Sequence, residues 1–426
     1  MGTYVQSIWG TSLQTANIAN PDLTWESTRS WNAGIDLNFF NNRVEFILDA
    51  YIKKTRNLLL QQDYPGYMGT TGNGAAAAQW ANIGSMENKG FEFTLNTVNI
   101  SNRDFQWRTN VTFSLNRNKV ASMNTQNAFI DKTYQNSGQT EVITRTAVGH
   151  PVSQFYGYKA IGRINSASDY LIDNGDGTST VKIATPVLRV GDCVVNSGTD
   201  KGSLVKQVYI GDYIYEDLNN DGVIDEKDQT YLGSPLPKFT YGINNTFKYK
   251  NFDLTVFLYG SYGNKAMNYL SRRITNPNSS GNVHRSVANH ARLGYLDGNP
   301  ENTNVWNMYI LPGSNGLCRM SVNDANDNDR ISSLYVEDAS FLRIQNIALG
   351  YTLPKQWLKK LKIENARIYA NIKNVYTFTG YDGYDPEIGS TQAQYSYSGQ
   401  SMLMYGVDTG RCPSPRIYTF GIDLTF

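Results

Sequence analysis

The chain has 426 residues, and 38 Lys and Arg against 37 Asp and Glu leave a net charge of +1, so it carries no electrostatic footprint for nucleic acid. Charged residues make up only 18% of it, below the roughly 25% of ordinary soluble domains, while aromatics reach 12% with 29 Tyr. Mean hydropathy is −0.44, and no apolar run reaches the roughly 18 residues of a spanning helix, which excludes helical spans but not spanning strands.

Met1, Gly2, Thr3 and Tyr4 lack the basic and apolar regions of a secretory leader, so an outer-membrane reading requires a longer parent sequence. Cys193, Cys318 and Cys412 are widely separated and outside any CxxC or CxxH spacing. That argues against zinc and leaves a single disulfide open, with its pairing undetermined. His150, His284 and His290 are equally scattered.

In chain order, residues 1–30 are polar and contain NPDLTWE. Trp31, Ala33, Ile35, Leu37 and Phe39 then alternate with polar residues, which predicts a half-apolar strand. Asn41-Asn42 predicts a two-residue hairpin turn, because Asn tolerates positive φ. Val44, Phe46, Leu48, Ala50 and Ile52 return on the same face, and residues 53–88 read as a Gly- and Ala-rich loop. Phe91, Phe93 and Leu95 mark a third strand. Phe105, Trp107, Val111, Phe113 and Leu115 mark a fourth, alternating with Arg108, Asn110, Thr112 and Ser114.

Residues 117–237 are too long for an ordinary connection. Strands resume at Phe239, Tyr241, Ile243 and Phe247, turn at Lys250-Asn251, and return through Phe252, Leu254, Val256 and Leu258. After 263–338, Leu342, Ile344, Ala348 and Leu349 to Tyr351 predict the next strand, and 354–362 a short basic amphipathic connection. Ala366, Ile368, Ala370 and Ile372 follow, then an irregular stretch, 377–415. The chain closes on RIYTFGIDLTF, with Tyr418, Phe420, Ile422, Leu424 and Phe426 on one face.

The connections alternate short and long throughout. That is the asymmetry of an outer-membrane β-barrel, with tight periplasmic turns and long extracellular loops. The expected fold is therefore all-β: about nine antiparallel transmembrane strands, each about 10–12 residues long, with the C-terminus periplasmic. An open array would leave two unpaired edges in lipid, at several kcal/mol per orphaned group, so the first strands of the barrel must lie outside this sequence.

The strongest local motif is at 217–228, DLNNDGVIDEKD. Asp217, Asn219, Asp221, Asp225 and Asp228 occupy loop positions 1, 3, 5, 9 and 12, Val223 offers its carbonyl at 7, and Gly222 stands at 6. This is the EF-hand-type spacing that winds hard oxygen ligands round calcium, closed by Asp where Glu is usual, and its expected role is structural. An Asx-rich turn without metal is the other reading. Asp173 and Asp176 form only a fragment of such a pattern. No GxSxG, HExxH or phosphate-binding glycine loop is present. The carboxylates Asp382, Asp385 and Glu387 fit ligand binding or packing better than paired-acid hydrolysis. Tyr156, Tyr158, Tyr395, Tyr397 and Tyr405 could stack on a ligand or pack loop against loop.

NPDLTWE (20–26), NIGSMENKGFEF (82–93), FSLNRNKV (113–120), GHPVSQFYGY (149–158), DLNNDGVIDEKDQTYLGSPLPKFTYGI (217–243), FLRIQNIALGYTLP (341–354) and NVYTFTGYDGYDPE (374–387) together resemble the C-terminal half of SusC/RagA-type TonB-dependent outer-membrane transporters of Bacteroidetes. The resemblance covers nearly all of residues 1–426 and implies the C-terminal part of a 22-stranded barrel. It implies a SusD-like surface lipoprotein as lid, energising through TonB, ExbB and ExbD, and uptake of an oligosaccharide or peptide. The family's plug domain and TonB box have no counterpart here, and residues 296–312 match only loosely. The expected function is active import rather than bond chemistry. A passive porin or adhesin, and a secreted calcium-binding β-protein acting on polysaccharide, are the other classes that the residues fit.

Overall fold

A computed structural model describes residues 20–62, 79–123, 128–136, 139–196, 208–279, 281–302, 304–314, 316–321, 324–359, 363–390 and 403–426. Its frame is one nine-stranded sheet in which sequential strands are antiparallel neighbours. The strands are β1 (Ser27–Phe39), β2 (Val44–Gln62), β3 (Gln79–Ser101), β4 (Phe105–Met123), β5 (Phe239–Tyr249), β6 (Phe252–Tyr262), β7 (Phe341–Thr352), β8 (Asn365–Thr379) and β9 (Ile417–Thr425).

Register follows alternation. Ile35 lies opposite Leu48, Leu48 opposite Phe93, Phe93 opposite Phe113 and Phe113 opposite Tyr241, so one apolar row crosses five strands. Phe113 stacks between Phe91 and Phe239 at centroid distances of 5.7 and 5.2 Å. The opposite face is a polar lattice. Asn96 donates to Glu45 at 2.9 Å and accepts from Asn110 at 2.6 Å, while Arg367 holds Asp253 across the wall at 2.5 Å. A slip of one residue would exchange the two faces, so keeping the apolar rows together on one face pins the register.

Three features depart from expectation. β2, β3 and β4 run 19, 23 and 19 residues, and much of the stretch read as loop (53–62 and 79–88) is paired strand. Pairing continues there with polar residues on both faces, so the apolar period that marks a strand is gone. The first hairpin turns through Phe40, Asn41 and Asn42, all at positive φ, with Arg43 N–H donating to Phe39 C=O, rather than through Asn41-Asn42 alone. Finally, the β7–β8 register shifts between Ile344 and Asn346. That bulge reverses the facing of the first half of β7, so Leu342 and Ile344 share the apolar side with Leu349 while Ala348 faces the polar side.

The long connections fold together at one rim. Ile143 and Phe155 from the first, Met267, Tyr269, Ile331 and Tyr335 from the second, and Met404 and Val407 from the third form one buried cluster. Strand Lys265–Asn268 is its seam, pairing antiparallel with Val336–Asp338 and parallel with Val407–Asp408. At the other rim the connections are short, such as Lys250-Asn251 with Lys250 at positive φ.

Candidate functional site

Residues 217–228 form a tight turn, hydrogen-bonded at its base through Asp217 and Asp228 and at its tip through Asn219, Asp221 and Asp225. Asp217 Oδ2 accepts the Gly222 N–H at 2.8 Å, the bond that draws position 1 under the glycine turn. Gly222 sits at φ 84° and Asn220 at 57°. Asp228, fully buried, accepts the Leu218 and Asp225 N–H groups on its two carboxylate oxygens at 2.9 and 2.8 Å. Behind the loop, Ile224 packs into a cluster with Ala184, Tyr213, Tyr215 and Cys318, and its N–H donates to Thr185 C=O.

At the tip, Asn219 and Asp221 accept the N–H groups two residues on, and Asp225 does the same for Lys227. The Lys227 ammonium lies 3.5 Å from Asp221 and 3.2 Å from Asp225, so a cation of the chain itself sits across positions 5 and 9. The Asn219 amide first, then the Val223 N–H and Lys227, hold the Asp221 carboxyl below the usual range. Asp217 Oδ1 is buried and has no hydrogen-bond partner. An orphaned carboxylate oxygen under the glycine turn is what a cation at the loop centre would take up. Among the described residues, however, no three Asp, Glu, His or Cys side chains are grouped tightly enough to hold a metal ion.

The carboxylates at 382–387 have other partners. Arg343, turned to the polar side by the β7 bulge, is almost wholly buried and binds Asp385 at 2.6 Å, Glu387 at 2.7 Å and Thr377 at 2.9 Å. Burial opposes charge on Asp385, but the Glu387 and Ser414 N–H groups and the Arg343 guanidinium hold its carboxyl below the usual range. These acids fasten the third long connection to the wall. A cavity of about 540 Å³ lies beside the clamp, lined among others by Asp385, Glu387, Tyr405, Asp408 and Arg411. Arg343 was not apparent from local pattern, since it acquires its role from Asp385 and Glu387, more than twenty residues away.

Tyr156 packs edge-on against Tyr231 beneath the Arg145 guanidinium, and Tyr158 against Tyr215 beneath Arg330. Both are packing residues, whereas Tyr395 and Tyr397 lie outside the described residues. Asp173 and Asp176 cap a hairpin turn by accepting the Gly175 and Thr178 N–H groups. All three cysteines are free, and burial pushes the Cys318 thiol well up. His150 stacks on Tyr231 at 4.0 Å, far in sequence from His284, which caps a short helix.

A family model described as TonB dependent receptor-like, beta-barrel, matches residues 2–183. TonB-dependent receptor P3 of Formosa agariphila is 31% identical over 413 residues, covering 96% of this chain and 35% of that protein. TonB-dependent receptor SusC of Bacteroides thetaiotaomicron is 25% identical over 413 residues, covering 96% and 32% respectively. Among solved structures, the RagAB peptide transporter shares the fold with a TM-score of 0.67 at 20% identity, over 99% of this chain and 38% of that one. The chain thus spans about a third of the length of the relatives it matches.

Proposed function

Because this chain is a segment of a TonB-dependent receptor β-barrel of the SusC/RagA type, a family of transporters and not enzymes, we propose that it forms wall and loops of an outer-membrane importer. The cargo is a bulky oligosaccharide or peptide, held between the gathered loops and a SusD-like lipoprotein and drawn inward by TonB, ExbB and ExbD acting on a plug. The long-loop rim faces outward, and the tight turns and C-terminus face the periplasm. One observation carries this reading. Three long connections share a single buried core at one rim of a wall that is apolar on one face and polar on the other. A lid needs such a rigid seat, and a solute path needs such a polar face.

Affinity purification of the full-length protein from outer membranes, with mass spectrometry, tests the assembly. A SusD-like lipoprotein in the eluate and loss of uptake in cells lacking TonB are the expected results. Uptake that persists without TonB would mean a passive pore.

We also propose that residues 217–228 bind calcium as a structural ion, with Asp217, Asn219, Asp221, Asp225, Asp228 and the Val223 carbonyl as ligands once Lys227 swings away. The orphaned Asp217 oxygen supports it. At a hundredfold excess of calcium over Kd the gain in loop stability is about 2.7 kcal/mol. Protease resistance of the loop should therefore rise with calcium and fall with chelator, and Asp217→Asn should abolish the difference. Equal resistance in both conditions would leave an Asx-rich turn without metal.

A further inference from the structure

The apolar face of the wall carries a group of charges that import does not use. Register sets the side chains of β1–β4 on that face in rows. Arg29, Lys54, Glu87 and Lys119 form one row, and Trp31, Ile52, Lys89 and Arg117 form the next toward the middle of the sheet. Five cations and one carboxylate leave a local charge of +4 in a chain whose total is +1. Lys54 engages Glu87 at 2.9 Å, and among the described residues Lys89 and Lys119 make no ion pair. Arg117 is held in place by donating to the Lys238 carbonyl at 2.7 Å, which leaves its charge uncompensated.

Directly below the cations the wall is hollow. The third row pairs Ala33 with Ala50, and these small side chains open a cleft of about 570 Å³ between Trp31, Ile52, Phe91 and Leu115, with Lys89 and Arg117 at its lip. On a barrel's lipid face a Lys or Arg costs about 2–4 kcal/mol at the bilayer midplane and about 0–1 near the interface, so these rows belong at headgroup level. Trp31, in the same row as Lys89 and Arg117, suits the same boundary.

We propose that this cleft binds a phosphorylated, acylated lipid of the outer leaflet. Its acyl chain lies in the Ala33–Ala50 hollow and its phosphate rests on Lys89 and Arg117, with Lys119 adding charge. The inference rests on the reading that the long-loop rim faces outward. A neutral lipid would not need the cations, and a soluble polyanion would not need the apolar cleft. The two side by side select an amphiphile with an anionic head, and Arg is suited to phosphate by its planar donors.

The test uses the full-length transporter in mild detergent, with monophosphoryl lipid A as probe and native mass spectrometry as readout. Binding should weaken tenfold or more in the Lys89→Glu, Arg117→Glu double variant, and equally when the lipid's phosphate is removed. Heat-modifiable gel migration reports whether the double variant folds, and the milder Lys89→Gln, Arg117→Gln pair serves if it does not. Undiminished binding to the variant or to phosphate-free lipid would overturn the proposal. So would competition by inorganic phosphate at the concentration at which the lipid binds, because that describes a bare anion site. A Lys119→Cys variant in which Cys193 and Cys412, both free and exposed, are replaced by Ser separates the two readings on intact cells. Labelling by a membrane-impermeant maleimide without lipid binding would overturn the lipid site alone, whereas labelling only after permeabilisation would overturn the orientation beneath it.

Discussion

Replacing Phe113 by Arg lowers the stability of the barrel in lipid by about 2–4 kcal/mol if the site lies near the bilayer midplane. Phe113 sits in the row of Ile35, Leu48, Phe93 and Tyr241, two rows below Lys89 and Arg117 on β3 and β4. A guanidinium there must either reach the interface or remain desolvated in hydrocarbon, and it also loses the stacking with Phe91 and Phe239. The neighbouring Ser114 faces the polar side, where water and amides can solvate a cation. Ser114→Arg should therefore cost far less. Urea titrations of the full-length barrel folded into vesicles measure both. Equal losses for the two variants would mean that the facing of β4 has been assigned wrongly.

The second large effect belongs to the loops. Removing the Glu141 side chain should destabilise the loop body toward the lower end of the about 3–5 kcal/mol that stripping a buried charge of its partner costs, because the Asp329 carboxylate still faces Arg272 at 3.6 Å. Arg272 is 2% exposed and donates to both Glu141 oxygens, at 2.6 and 2.5 Å, with the Asp329 carbonyl accepting from its Nε. Glu141 stands on strand Gln139–Ala147 of the first long connection, and Arg272 on helix Tyr269–Ile274 of the second. The pair therefore ties together two segments that also meet through the apolar cluster, the Arg319–Asp212 ion pair and the Tyr158–Ile331 backbone hydrogen bond. Hydrogen exchange should quicken in the helix and in the strand after Glu141→Ala while β3 and β4 keep their protection. Replacing both partners, by Glu141→Leu with Arg272→Met, should recover much of the loss. Unchanged exchange in the single variant would show that the other contacts between the connections hold the helix and the strand without this pair.

The loop at 217–228 marks the limit of local reading. The glycine turn and the Asp217–Gly222 hydrogen bond follow from residues within one short segment, whereas the packing of Ile224 depends on Ala184, Tyr213 and Cys318 from outside it. The placement of Lys227 across Asp221 and Asp225 does not follow from spacing, because it depends on a side chain that competes with any metal for the same oxygens.

By itself the sequence determined what depends on short range. Alternation in Phe91 to Leu95, Phe105 to Leu115 and Tyr418 to Leu424 determined which side chains meet lipid, and the tight turn at Lys250-Asn251 determined a hairpin. The succession of short and long connections determined which rim carries the loops. These signals are legible because lipid rewards a strict period of two wherever a strand crosses it. Beyond the bilayer that reward vanishes, and so the loop-side parts of β2, β3 and β4 left no periodic trace although they remain paired. Only the tertiary structure decided the bulge after Ile344, which turns Arg343 inward onto Asp385 and Glu387, and the Arg272–Glu141 tie across 131 residues. Such contacts are specified by partners that no local window contains. Their free energy comes from burial and charge pairing that exist only once the loops have closed on one another.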